Sequence, residues 1–281
     1  MAGVKQFFRV VFSRKTSLAG FIIIVLFVLT ALFSKQLAPY DPYKADLTAK
    51  TVVPSAQHLL GTDQMGRDIL SRIISGSVVT LQIAVVSVLI AGVIGSVLGL
   101  LAGFYGGIWD VVIMRITDAL ICIPKMALAM TLTFALGRGT LSLMMAIGLS
   151  SVPGYIRLIR GQAMTIKNND YIQAQRIIGT SQVKILFTEV LPNCLSPLIV
   201  YATTNLGASI ITESSLSFIG CGVQPPNAAW GSMVEDGFSM IRVYPYLSVY
   251  PGLAILIVVL AFNMFGDGVR DALDPRISKN L

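Results

Sequence analysis

The sequence predicts an all-α polytopic membrane protein with six spanning helices. Three observations carry this. Only 12% of the 281 residues are charged and 54% are hydrophobic, whereas a soluble domain is about one quarter charged. The mean hydropathy is +0.76, more apolar surface than a soluble fold of this size can bury and the opposite of disorder. Five long stretches carry no charge: 19 residues between Lys15 and Lys35, 37 between Arg72 and Asp110, 18 between Arg138 and Arg157, 23 between Glu189 and Glu213, and 24 between Arg242 and Asp267. A helix crosses a bilayer with roughly 20 apolar residues.

The first helix is expected over 17–36. Its uncharged run is long for a signal-peptide core, and no A-x-A-like site precedes Lys35, so it reads as a retained span. The second is expected over 77–104. Ser87, Ala91, Gly95, Gly99 and Gly103 recur along it every four residues, a small-residue ridge that lets backbones approach closely. The third, over 109–136, is interrupted by Arg115, Asp118 and Lys125. On a continuous helix Arg115, Asp118, Cys122 and Lys125 share one face, and Arg115 can pair with Asp118. Lys125 then falls near mid-membrane, where an unpaired lysine costs about 2.5–3.5 kcal/mol. Arg115, Asp118, Lys125 and Glu213 are the candidates for a polar pathway. The remaining helices are expected over 140–160, 194–218 and 247–268.

Six spans leave both termini on one side. Lys5, Arg9, Arg14 and Lys15 place that side in the cytoplasm by the positive-inside rule. The segment 157–193 falls inside with Arg157, Arg160, Lys167, Arg176 and Lys184 against Asp170 and Glu189, while 213–246 falls outside with Glu213, Glu235 and Asp236 against Arg242. The net charge of +7 is thus accounted for by orientation rather than by nucleic acid.

Two loops stand out. The outer one runs through Leu60-Gly61-Thr62-Asp63-Gln64-Met65-Gly66-Arg67-Asp68, where Thr62 or Asp63 can cap a helix entering the second span. The inner one reads Asp170-Tyr171-Ile172-Gln173-Ala174-Gln175-Arg176-Ile177-Ile178-Gly179. Asp170 with Gln173 is a capping-box-like start, and Gly179 suits a left-handed helix end. A second short helix is expected to end at Leu191-Pro192-Asn193. Tyr171, Ala174, Ile177 and Ile178 form an apolar patch that headgroups or a partner protein must cover.

No motif supplies chemistry. There is no G-x-x-x-x-G-K-[ST], no G-x-G-x-x-G and no H-E-x-x-H, and the single histidine, His58, lies outside the membrane, so the chain is not expected to be an enzyme. The three cysteines lack metal-ligand spacing. Cys122, Met126 and Met130 share a helix face as packing residues, and no metal site is expected.

The inner motif, Asp170-Tyr171-Ile172-Gln173-Ala174-Gln175 through Gly179 to Leu191-Pro192, resembles the E-A-A…G…L-P motif of ABC importer permeases. Gln173 and Gln175 replace its glutamate and second alanine. The outer Leu60–Asp68 stretch resembles the L-G-T-D-x-x-G-R-D signature of the peptide/nickel subfamily, as do Ser215–Gly220 with Pro225-Pro226 and Trp230-Gly231, and Phe262–Pro275. The chain therefore resembles the second, C-type permease of dipeptide, oligopeptide and nickel importers.

That resemblance implies a type I importer fold in a bacterial inner membrane. The segment 1–76 would hold the first span and the extracytoplasmic loop, 77–272 the permease core with coupling helices near 168–190, and 273–281 a cytoplasmic tail. It implies ATPase coupling through Asp170, Tyr171, Gln173, Ala174, Ile178 and Gly179, and an extracytoplasmic surface around Thr62, Asp63, Gly66, Arg67 and Asp68. The four-residue spacing of Ala91, Gly95, Gly99 and Gly103 makes these the helix-packing residues, either within this subunit or against a partner permease. The resemblance also implies a second permease subunit, two ATP-binding subunits carrying ATP and Mg, and an extracytoplasmic substrate-binding protein. This chain would carry no cofactor. The cargo would be a short peptide or a chelated transition metal such as nickel. The rival reading is a secondary carrier that needs no ATPase.

Overall fold

A computed structural model describes residues 10–137 and 139–273. Lys5, Arg9, Arg138 and the predicted tail from 274 onward lie outside the described residues. The described chain is helical throughout apart from its loops, which hold one isolated bridge between Thr62 and Asp68. In chain order the helices are α1 (Lys15–Leu32), a short α2 (Ser34–Leu37), α3 (Ile69–Leu100), α4 (Gly107–Ile121), α5 (Lys125–Leu136), α6 (Thr140–Lys167), α7 (Asp170–Ile177), α8 (Gln182–Ile185), α9 (Leu191–Phe218), α10 (Trp230–Phe238) and α11 (Tyr246–Leu273). A π-helical turn, Leu101–Tyr105, extends α3, and another, Leu186–Val190, joins α8 to α9. Five of these helical runs are long and apolar enough to span a membrane. The pair α4 and α5 makes a sixth if taken as one span, bent by 96°.

α3 starts at Ile69, earlier than the predicted residue 77. The charge of Arg72 did not mark its end: Arg72 sits inside the helix, 3% exposed, with its Nε 3.5 Å from Asp63. Nor does Thr62 or Asp63 cap the helix. Asp68 does, accepting from the Ser71 N–H at 2.8 Å and the Ser71 hydroxyl at 2.7 Å. Asp68→Ala should cost about 1–2 kcal/mol, read as a lower unfolding midpoint of the purified protein. Asp68→Asn keeps a capping oxygen and should recover most of it.

The third predicted helix is broken at Cys122–Pro124. Pro124 disfavours helical backbone at Ile123 before it, and α5 leaves in a new direction. Lys125 therefore opens α5 rather than sharing a face with Arg115, Asp118 and Cys122. Asp118 does not pair with Arg115; it accepts from Arg157 of α6 at 2.7 Å. A second pair, Arg160 Nη2 to Asp110 at 2.7 Å, ties the start of α4 to the same helix.

α3 and α6 pack side by side. Ser87 donates to the Met144 carbonyl at 3.0 Å, and at the other end Gly103 lies against Arg160 and Ala163. Sequence number rises in the same direction on both, so the two helices are parallel, and α4 with α5 returns the chain between them. α1 packs antiparallel on α11, with Gly20 against Ala261 and Gly268 against Ser17. Arg14 and Asp271 pair at 2.6 Å, so the two described chain ends lie together, at the end of the bundle that carries α7 and α8.

Candidate functional site

The α7–α8 hairpin is held from beneath and open above. Asn169, not Asp170, is the residue before the first helical turn, and no side chain caps it. The expected capping box does not form; Gln173 Nε2 donates instead to the Lys167 carbonyl at 3.1 Å. The C-terminus of α7 closes as the glycine suggested. Gly179 has φ +83°. Its N–H bonds to the Arg176 carbonyl and the Thr180 N–H to the Gln175 carbonyl, the two bonds of a Schellman motif. Ser181 caps α8 through the Lys184 N–H at 3.4 Å. That helix does not end at Leu191-Pro192; it runs on through the π-helical turn into α9.

Ile172 and Ile185, both fully buried, anchor the hairpin in a cluster with Phe104, Ala163 and Ile166. The Arg176 guanidinium stacks 5.6 Å from the Phe104 ring centroid. Gln175, which stands where the motif has alanine, donates to Glu189 at 3.1 Å and ties α7 to the π-helical turn. Above this base the predicted patch is bare: Ile177 is 85% exposed and Ile178 79%, with Tyr171 and Ala174 also exposed. Lone exposed aliphatics are ordinary. Adjacent ones on a helix end fixed by fully buried anchors make a rigid apolar knob.

At the opposite end the 38–68 loop folds into a cap. Thr62 is buried, its hydroxyl accepting from the Val52 N–H at 2.8 Å and donating to the Ala49 carbonyl at 2.5 Å. Asp63 accepts from the N–H groups of Met65 and Arg67 and from Arg67 Nε at 2.6 Å. Gly66 has φ +75°, and a Cβ there would fall 1.7 Å from the Asp46 carbonyl oxygen, so both conformation and space demand glycine. The Asp46 carboxyl itself is held below the usual range by the Thr48 hydroxyl and N–H. Asp68 meets His58 at 3.0 Å. The motif is thus a knot of local bonds. It reaches the rest of the protein through Asp63, which pairs with Arg72 of α3, through Gln64, which donates to the Asp236 carbonyl at 2.6 Å, and through the Thr51 carbonyl, which accepts from the Tyr246 hydroxyl at 3.0 Å.

The ridge on α3 packs inside this subunit: Ala91, Gly95, Gly99 and Gly103 all face α6. The pathway candidates are scattered. Arg115 is exposed and Lys125 half-buried at the bend. Glu213 lies within α9, as the expected helix 194–218 has it, and is fully buried, accepting from the Ser217 hydroxyl at 2.8 Å and from Ser214 at 3.3 Å. Sequence reasoning missed Arg72, Asp236 and Trp230 as builders of the cap. Trp230 Nε1 donates to the Ile73 carbonyl at 2.9 Å. These contacts span up to 172 residues of chain, and no local pattern encodes them.

Residues 95–279 match the family model described as the binding-protein-dependent transport system inner membrane component, and residues 4–57 match the N-terminal transmembrane domain of oligopeptide transport permease C. The chain belongs to this permease family. It is 44% identical to the probable D,D-dipeptide transport system permease of Escherichia coli (strain K12), over 91% of this chain and 86% of that one. It is 39% identical to a glutathione transport system permease of Pectobacterium atrosepticum, over 97% and 91%. It is 40% identical to a di/tripeptide transport system permease of Pseudomonas aeruginosa, over 98% and 92%. The permease is a multi-pass membrane subunit of a peptide-type ABC transport system and not itself an enzyme. Membership of a binding-protein-dependent family overturns the secondary-carrier reading.

Proposed function

We propose that this permease is one of two different membrane subunits of an ATP-driven importer of short peptides in a bacterial inner membrane. Its α7–α8 hairpin faces the cytoplasm and its 38–68 cap faces the binding protein. The observation that carries the reading is the knob at Ile177 and Ile178, rigid below and unsatisfied above. A groove on an ATPase subunit that received it would move α3, α6 and α9 together, because the hairpin anchors touch all three. Two ATPase subunits carrying ATP and Mg dock at this end, one on each permease. Arg14, Lys15, Lys167, Arg176 and Lys184 lie at or next to it, as the positive-inside rule requires of a cytoplasmic face.

Peptide is preferred to chelated nickel as cargo because the relatives are named for D,D-dipeptide, glutathione and di/tripeptide transport. Proteoliposomes holding the whole complex should take up labelled dialanine in an ATP- and binding-protein-dependent manner. Uptake of a nickel chelate and of no peptide would overturn the substrate class.

Lys125 is the one pathway candidate with no ion pair among the described residues that also stands at a helix break. A charge there is stabilised by water or by an anionic group passing it. Lys125→Met is expected to leave assembly and basal ATP hydrolysis intact and to slow uptake about fivefold. Uptake at the wild-type rate in well-assembled complexes removes Lys125 from the pathway.

A further inference from the structure

Beneath the cap lies a cavity of about 450 Å³, within the ~300–1,000 Å³ range of small-ligand sites. Its walls come from the 38–68 loop, the turn after α9 and α10. Two guanidiniums line it, those of Arg67 and Arg72, against three carboxylates, those of Asp63, Glu235 and Asp236. One negative charge is left over, and its place can be traced. Asp63 is fully engaged by Arg67, by Arg72 and by backbone N–H groups. Asp236 has its nearest cation, Arg67 Nη2, at 3.9 Å, beyond hydrogen-bond reach. Glu235 has no ion pair among the described residues and is exposed. The Asp236 side chain is also half exposed, and its partial desolvation raises the carboxyl above the usual carboxylate range in spite of both arginines.

The guanidiniums also have capacity to spare. Each offers five N–H donors. Arg72 directs its side-chain donors at Asp63 and the Pro42 carbonyl, and Arg67 directs its own at Asp63. Ser217, on the floor, is occupied by Glu213 and by the Val223 N–H. The cavity therefore presents two carboxylates without a hydrogen-bonded cation beside unused donors for an anion.

We propose that this cavity holds a short zwitterionic peptide, its ammonium group at Asp236 and Glu235 and its carboxylate on free donors of Arg67 and Arg72. It is a way-station between the binding protein and the membrane, and it rests on the peptide-import reading above. A free peptide supplies both charges in one small molecule, and an N-acetylated peptide lacks the one for which the cavity has the excess.

The test uses the complex in lipid nanodiscs without its binding protein, with Cys122 and Cys221 changed to serine. A probe thiol is placed on the exposed cavity wall by Asn227→Cys, or by Gln224→Cys should the first fail to assemble. Millimolar dialanine should slow maleimide labelling of that thiol about fivefold, and N-acetyl-dialanine should not. Adding Asp236→Asn should abolish the protection. No protection by dialanine, in a complex that takes up dialanine once its binding protein is restored, overturns the site. So does protection by the binding protein together with none by dialanine, which makes the cavity a docking surface only. Protection without any dialanine uptake upholds the site and overturns the import reading instead.

Discussion

Gly99→Leu is expected to lower the yield of assembled permease at least tenfold. A Cβ at Gly99 would stand 2.8 Å from the Ile159 Cβ and 2.9 Å from the Ile156 carbonyl oxygen, closer than atoms approach without movement. Neither obstacle is the loose end of a side chain, so α3 and α6 must part. Parting them opens the contacts of Tyr155 and Ile159, both essentially buried. Overpacking a well-filled core costs about 1–3 kcal/mol even when the backbone yields, and here the whole parallel helix pair must yield. Neighbouring sites confirm the geometry. At Gly95 the added carbon would meet the Tyr155 Cβ at 2.3 Å, and at Gly103 the Arg160 carbonyl at 2.6 Å. Gly92 lies on the same helix but off the ridge, with only Tyr155 Cε1 at 3.8 Å. Gly92→Ala should be neutral or slightly stabilising, since alanine is the better helix former. The measurement is the yield of monodisperse complex by size exclusion. Normal yield and normal transport from Gly99→Leu would mean that the ridge is not a packing surface.

The spans were legible because the bilayer imposes one strong rule, the exclusion of charge over about 20 residues. Where a charge is satisfied inside the protein the rule misplaces the end. Arg72 is such a case: Asp63 and the Pro42 carbonyl hold it within α3, and the helix begins well before the uncharged run. The break at Cys122–Pro124 had a visible cause in Pro124, but its angle depends on where α6 receives α5. The hairpin was legible in outline because Gly179 and Ser181 act within a few residues. Its capping was misread because Gln173 found the Lys167 carbonyl first. The cap and its cavity were the least legible. Gly66 answers to Asp46, Gln64 to Asp236 and Tyr246 to the Thr51 carbonyl, and such pairings exist only after the chain has folded.

Ile178→Asp, alone or with Ile177→Asp, is expected to reduce substrate-stimulated ATP hydrolysis by the assembled importer more than tenfold. Both side chains are solvent-exposed in the isolated chain, so removing them opens no cavity, and insertion and folding should be unchanged. The loss arises at docking, where a carboxylate would be desolvated in an apolar groove without a partner. Ile172→Ala provides the contrast. That side chain is a fully buried anchor, and its truncation should cost about 2–5 kcal/mol and lower the unfolding midpoint together with coupling. Gly179 separates shape from chemistry. A Cβ there meets nothing within 4 Å, but φ is +83°, a conformation that asparagine tolerates and most residues resist. Gly179→Asn should retain coupling, whereas Gly179→Arg adds backbone strain and a charge beside the knob and should abolish it. A cysteine at Ala174, exposed on the same helix, should crosslink to the ATPase subunit in the nucleotide-bound complex. Wild-type ATPase stimulation in Ile178→Asp, with the Ala174 cysteine reacting only with lipid-phase probes, would make the hairpin an interfacial linker and end the docking assignment.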